Sequence, residues 1–199
     1  MAHIVTHALR FEDEPIKGSR FIADVVPATS MSAAKEALAG VRAEMPDATH
    51  HCWAANVAEP ARHQSSDDGE PGGSAGRPIL AQIEGHAVVN VLVVVTRYYG
   101  GTKLGVGGLV RAYGGAAGRA LDRAILVPYV ATTLVQLEHV YEDSGLVQTV
   151  LRRAGIEPEN ATYGAEVALS LRVPTDDVDA LASALRDASS GRVVLAPER

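Results

Sequence analysis

With 199 residues and 47% hydrophobic content, the chain is an ordinary globular protein, able to bury a core and to form one or two domains. No apolar run approaches the roughly 20 residues that span a bilayer. The opening MAHIVTHALRFEDE also lacks a basic region followed by an apolar core, so neither membrane anchor nor secretory signal is expected and the cytoplasm is the default compartment. The net charge of −6 weighs against indiscriminate nucleic-acid binding, and the single cysteine, Cys52, has no partner for an internal disulfide, in agreement with a reducing environment.

In chain order, GSRFIADVV (18–26) reads as a strand with Phe21, Ala23 and Val25 on one face. Ser30 is the expected N-cap of a helix in which Ala33, Ala34, Ala37, Leu38 and Val41 recur at helical spacing before Pro46. HHCWAANVA (50–58) is a second strand. The stretch Glu59 to Pro78, with three prolines and four glycines, is expected to be a long functional loop. Pro78 to Gly85 forms a short helix with Pro in its first turn and Gly at its end. VVNVLVVVTRYY (88–99), apolar on both faces, is a central, doubly covered strand. A glycine turn leads into a helix from about Gly107 to Arg123, burying Leu109, Tyr113, Ala116 and Ala120. Pro128 marks the end of a first domain, residues 1–130.

Residues 131–199 follow a second pattern: strand TTLVQLEHV, helix Ser144 to Ala154, strands around Tyr163 and at VALSLRV, helix Thr175 to Ala188, strand RVVLA. That βαββαβ order predicts a ferredoxin-like domain with both helices on one face of a four-stranded sheet, and makes the chain an α+β protein. Val178, Leu181, Ala182 and Leu185 face inward, and Asp176 and Asp177 suit the first turn of the last helix.

Charge and glycine coincide at one place. Residues 97–123 carry five Lys/Arg (Arg97, Lys103, Arg111, Arg119, Arg123) against Asp122 alone, together with 8 of the 19 glycines. A buried strand ending at Arg97, a turn through Gly100 and Gly101, and Lys103 before the helix-opening GVGG bring backbone N–H groups, a helix dipole and cations together. That arrangement suits a phosphate or carboxylate. It matches neither GxxxxGK[ST] nor GxGxxG, and the alternative is architectural: the glycines serve tight turns, and Gly114, Gly115 and Gly118 let the helix lie close on a sheet.

The acidic segment SSDDGEPGGSAGRPIL offers Asp67, Asp68 and Glu70 either as cation ligands bridging to an anion or as a solvated loop pairing with Arg77 or Arg97. His50, His51, Cys52 and His63 are metal-ligating types, but on a strand His51 faces away from His50 and Cys52, so no metal is assigned. Cys52 as a nucleophile with a histidine base is weaker than Cys52 as a buried side chain. No GxSxG or other serine-hydrolase pattern is found among Ser65, Ser66 and Ser74.

Four strings, KGSRFIA (17–23), ATHHCWA (48–54), DDGEPGGSAGRPIL (67–80) and VVVTRYYGGTKLGVGGLVRAY (93–113), together resemble the IMPACT family, its bacterial YigZ-like members most closely. The resemblance implies a first domain with the fold named after the second domain of a small-subunit ribosomal protein. It implies a second, ferredoxin-like domain similar to the last domain of elongation factor G. It also implies a setting in translation, which eukaryotic relatives regulate under amino-acid starvation, and it establishes no enzymatic activity. The shared positions it brings over are Lys17, Ser19, Phe21, His50, Cys52, Asp67, Asp68, Glu70, Gly76, Pro78, Arg97, Gly100, Gly101, Lys103, Gly105, Gly108, Arg111 and Tyr113. Tyr99 stands where the family usually has phenylalanine.

The expectation is therefore a non-enzymatic protein without cofactor, binding RNA, the ribosome or a translation factor. Its site would be a basic groove made of Arg97, Tyr98, Tyr99, Gly100, Gly101, Lys103, Gly105, Gly108 and Arg111, with Lys17, Ser19, His50, Asp67, Asp68 and Glu70 as accessory residues. The competing readings are an enzyme acting on a small phosphate-bearing molecule, with Asp68 or Glu70 as metal ligand or base, and a protein-interaction module centred on the acidic second domain.

Overall fold

A computed structural model of the protein describes residues 1–197. The chain divides into two compact units, Met1–Tyr129 and Val130–Arg199. The first is built on five antiparallel strands in the order β2 (Leu9–Glu12), β3 (Arg20–Pro27), β6 (Val91–Tyr98), β4 (His50–Val57) and β5 (Arg62–Ser66). A separate ribbon pairs β1 (His3–Val5) with β7 (Leu126–Pro128).

The central strand β6 is buried along seven of its eight residues because helices cover both faces. Its alternation sorts the layers. Val91, Val93 and Val95 join the core beneath α2 (Gly76–Gly85) and α3 (Val106–Leu121), whereas Leu92 and Val94 join the core beneath α1 (Met31–Glu44). The Ser30 hydroxyl accepts from the Ala33 amide at 3.1 Å and caps α1, as its sequence position indicates.

Three local expectations are corrected. The polar RHQSS segment inside the supposed loop 59–78 is an edge strand, β5, whose backbone ladder to β4 needs no apolar side chains. Gly114 and Gly118 of α3 face Pro78 and Gln82 of α2, so they serve helix-on-helix contact, while Gly115 lies under its own Arg119. β6 begins at Val91 rather than Val88, since Asn90 takes a left-handed φ of 54° and its side-chain oxygen accepts from the Ala58 amide.

The second unit orders its sheet β11 (Leu195–Pro197), β8 (Thr132–His139), β10 (Val167–Pro174), β9 (Pro158–Tyr163), all antiparallel. With α4 (Ser144–Ala154) and α5 (Val178–Ala188) this is the ferredoxin-like arrangement. Val135 and Leu137, Val167 to Val173 at alternate positions, Val147, Leu151, Leu181 and Leu185 form one core. Asp176 and Asp177 lie in a 3-10 turn ahead of α5, and Asp179 occupies its first turn instead. Among the described residues no helix is long and apolar enough to cross a membrane.

Candidate functional site

Register brings three of the four sequence strings into one row. Phe21 on β3 and His50 on β4 both stand opposite Arg97 on β6. Odd positions of β6 face α2 and α3, so Arg97 points inward and its side chain is only 6% exposed. A lone buried guanidinium is unfavourable, and the remaining string, DDGEPGGSAGRPIL, resolves it. Glu70, its side chain 5% exposed, accepts from Arg97 Nη1 at 2.6 Å, and the same oxygen accepts from the Tyr113 hydroxyl at 2.6 Å. Arg97 Nη2 donates to Ser19 Oγ at 3.2 Å.

The Arg97 guanidinium also lies between two rings, 5.6 Å from the Phe21 centroid and 5.3 Å from that of Tyr99. Phe21 meets Tyr113 edge-on at 5.3 Å. Burial, followed by the neighbouring Cys52 and Glu70, pushes the Tyr113 phenol above its ordinary range, so it donates as a neutral hydroxyl.

The acidic loop does not act as one cluster. Asp67 turns inward, its carboxylate accepting from the amides of Gly73, Ala75 and Gly76 at 2.7 to 2.9 Å. Burial opposes its charge, but the Gly73, Gly76 and Ala75 bonds outweigh it and the carboxyl titrates below the usual range. Asp68 pairs instead with Arg42 at 2.6 Å and accepts from the His51 amide at 2.7 Å. With Glu70 committed to Arg97 and Tyr113, the three carboxylates diverge, which corrects the picture of a bridging cation site.

Cys52 donates to the Asp67 carbonyl at 3.0 Å, and burial raises its thiol to about 12. It is a packed thiol at neutral pH. His50 reaches the Asp68 carbonyl through Nδ1 at 2.8 Å, which places a proton on that nitrogen, and its Nε2 lies 3.9 Å from Glu70. His51 faces α1 and bonds the Met45 carbonyl. His63 sits on the exposed part of β5.

The glycine turn is locked onto the first string. Ser19 Oγ accepts from the Gly100 amide at 3.2 Å, and a Cβ at Gly100 would stand 1.9 Å from the Gly18 carbonyl carbon. The collision is with backbone, which has no rotamer to escape into. Gly100→Ala therefore destabilises the first unit by about 2–4 kcal/mol, measured by denaturant unfolding; a midpoint unchanged from the parent chain would refute the contact.

Two expected groove residues are withdrawn by this geometry. Arg97 is enclosed. Tyr98, on the α1 face of β6, donates to Asp47 at 3.1 Å with Arg20 5.3 Å from its ring. What remains at the surface lies one turn further on. Gly105 opens α3 with φ 73° and no side-chain cap, leaving the first-turn amides of α3 unbonded within the helix. Arg111 folds back toward that end, its Nη1 lying 3.8 Å from where a Gly107 Cβ would be.

Lys17, Leu104, Gly108, Arg111 and Arg119 border a cavity of about 310 Å³. Arg119 is paired with Asp13. Lys17, Lys103 and Arg111 form no ion pair among the described residues. Tyr99 is 46% exposed beside the turn. Gly101 takes φ 84°, and Gly108 packs close to Leu104.

Sequence reasoning treats Tyr113 as core filling and does not join it to Glu70; it assigns nothing to Arg42 or Asp13. Only Tyr113 carried a signal, as a polar tip on an otherwise apolar stripe.

The Impact N-terminal domain model matches residues 17–121, and a domain of unknown function (DUF1949) matches residues 140–192. An IMPACT family member of Haemophilus influenzae is 38% identical over 94% of this chain and 92% of its own length. The Escherichia coli IMPACT family member YigZ is 39% identical over 92% and 91%, and a Thermus thermophilus family member is 41% identical over 89% and 97%. A crystal structure titled only as that of a hypothetical protein superposes with a TM-score of 0.78 at 36% identity, covering 100% of this chain and 97% of its own. The four strings that meet at Arg97 all fall within or beside the matched first region, and the chain belongs to the IMPACT family.

Proposed function

We propose that the chain is a non-catalytic binding protein whose first unit holds the phosphate backbone of RNA, in the setting of translation. The observation that carries this is the set of unpaired cations, Lys17, Lys103 and Arg111, around the uncapped start of α3, where neighbouring Arg97 and Arg119 are each held by a carboxylate. Cations without an internal partner attract phosphate without first breaking an ion pair, and α3's first-turn amides supply donors of fixed direction. The half-exposed ring of Tyr99 offers a surface on which a base stacks.

The same geometry speaks against the enzyme reading. Asp67, Asp68 and Glu70 are taken up by protein donors, and the Cys52 thiol stays protonated at neutral pH. Among the described residues no carboxylate, histidine or cysteine lines the cavity.

The test is fluorescence anisotropy with a labelled single-stranded RNA across a salt series. Each phosphate contact contributes about 0.7 to the slope of log affinity against log salt. Combined Lys17→Ala, Lys103→Ala and Arg111→Ala exchange lowers that slope by about 2 and weakens binding at every salt concentration. An unchanged slope and affinity would remove the assignment.

A further inference from the structure

We propose that the outer edge of β9, with the groove between it and α4, takes up an extended basic segment of a partner protein as an added strand. β9 is the last strand of its sheet, and all six of its residues are exposed. Its ladder to β10 uses one side of the backbone only, so the N–H and C=O groups on the other side stand open. Pro158 and the register shift at Ser170/Leu171 blunt the entry end, whereas Asn160 to Tyr163 carry neither proline nor lysine to discourage pairing.

A cavity of about 500 Å³ lies beside this edge on the helix side. Val147, Leu151 and Ile156 give it an apolar floor, and Arg152, Ala161 and Tyr163 stand at its border. Ala161 and Tyr163 are opposite Leu169 and Val167, so they share the face that β10 turns toward the core. A strand laid along β9 continues this pleat and sends every second side chain toward the groove. Tyr163, 70% exposed, lies where such a side chain arrives.

Charge selects the occupant. Glu157 and Glu166 flank the strand, Glu159 within it is held by Arg172, and residues 131–199 hold 11 Asp/Glu against 6 Lys/Arg. A segment alternating basic and apolar residues answers both the net acidic charge of this unit and the apolar floor. A second copy of this chain would set the same glutamates against one another, which disfavours edge-to-edge dimers.

The experiment titrates the isotope-labelled full chain with the acetylated synthetic peptide KVKVKVK, using KGKGKGK as a control of equal charge. Amide shifts and slowed hydrogen exchange are expected in β9 and α4, with binding roughly tenfold weaker for the glycine peptide. Ala161→Arg, at an exposed position, is expected to weaken KVKVKVK by about tenfold or more, and the charge reversal Glu157→Lys with Glu166→Lys weakens it further. Equal binding of the two peptides, shifts confined to other elements, or insensitivity to Ala161→Arg would overturn the proposal. So would sedimentation showing a peptide-free dimer that Ala161→Arg dissolves.

Discussion

Arg97→Ala lowers the stability of the first unit by about 3–5 kcal/mol, and Glu70→Ala has an effect of the same order. Either change leaves one charge of a buried pair without its partner, and each also strips a second bond, from Ser19 in one case and from Tyr113 in the other. Exchange of both for apolar residues, Arg97→Met with Glu70→Leu, recovers much of the loss, because the cost lies in the orphaned charge rather than in the absent attraction. Lys103→Ala, at an unpaired surface cation, moves stability by less than about 0.5 kcal/mol. Urea unfolding followed by the fluorescence of Trp53, the one tryptophan of the chain, reports on this unit. If Arg97→Ala and Lys103→Ala shift the midpoint alike, the enclosed pair has no role in stability.

The second large effect concerns Asp67. Its carboxylate satisfies three amides at the entry to α2, and alanine there leaves them without acceptors, at about 2–3 kcal/mol. The sign of the pH dependence follows from its lowered folded-state pKa. The unfolded chain takes up the proton first, at the ordinary value near about 3.9, so the contribution is whole above that pH. It is lost as pH falls through the lower folded value. Unfolding of the parent chain below about pH 4 should therefore show a decline that Asp67→Asn flattens. Parallel curves for the two proteins would show that Asp67 gains nothing from folding.

Much of the fold was legible because it rests on local patterns. Ser30 ahead of an apolar helical stripe and the β-branched run of β6 each state their structure within about 20 residues, and the βαββαβ order of the second unit is a succession of such local patterns. β5 was not legible, since an edge strand made of RHQSS owes its form to the backbone of β4. The site was legible in its members but not in their roles. Counted along the chain, residues 97–123 are strongly basic. In space, Glu70 and Asp13 arrive from elsewhere and neutralise Arg97 and Arg119, and Arg123 lies over the Phe11 ring, so the free cations around the start of α3 are Lys103 and Arg111, joined there by Lys17. Charge counting cannot see this, because strand register decides which side chains turn inward. The diverging carboxylates of the acidic loop are a similar case: adjacent residues Asp67 and Asp68 serve different parts of the fold.

The place of β6 in the sheet also bears on how the protein is made. β3 and β4 are not neighbours: β3 pairs with β2 and β4 with β5, and only β6 joins the two pairs into one sheet. A nascent chain synthesised as far as residue 90 holds two strand pairs with nothing between them, and Ser19 must wait for a guanidinium 78 positions later. The five-stranded sheet is therefore completed only after residue 98 has left the ribosome, with the inner edges of β3 and β4 open until then.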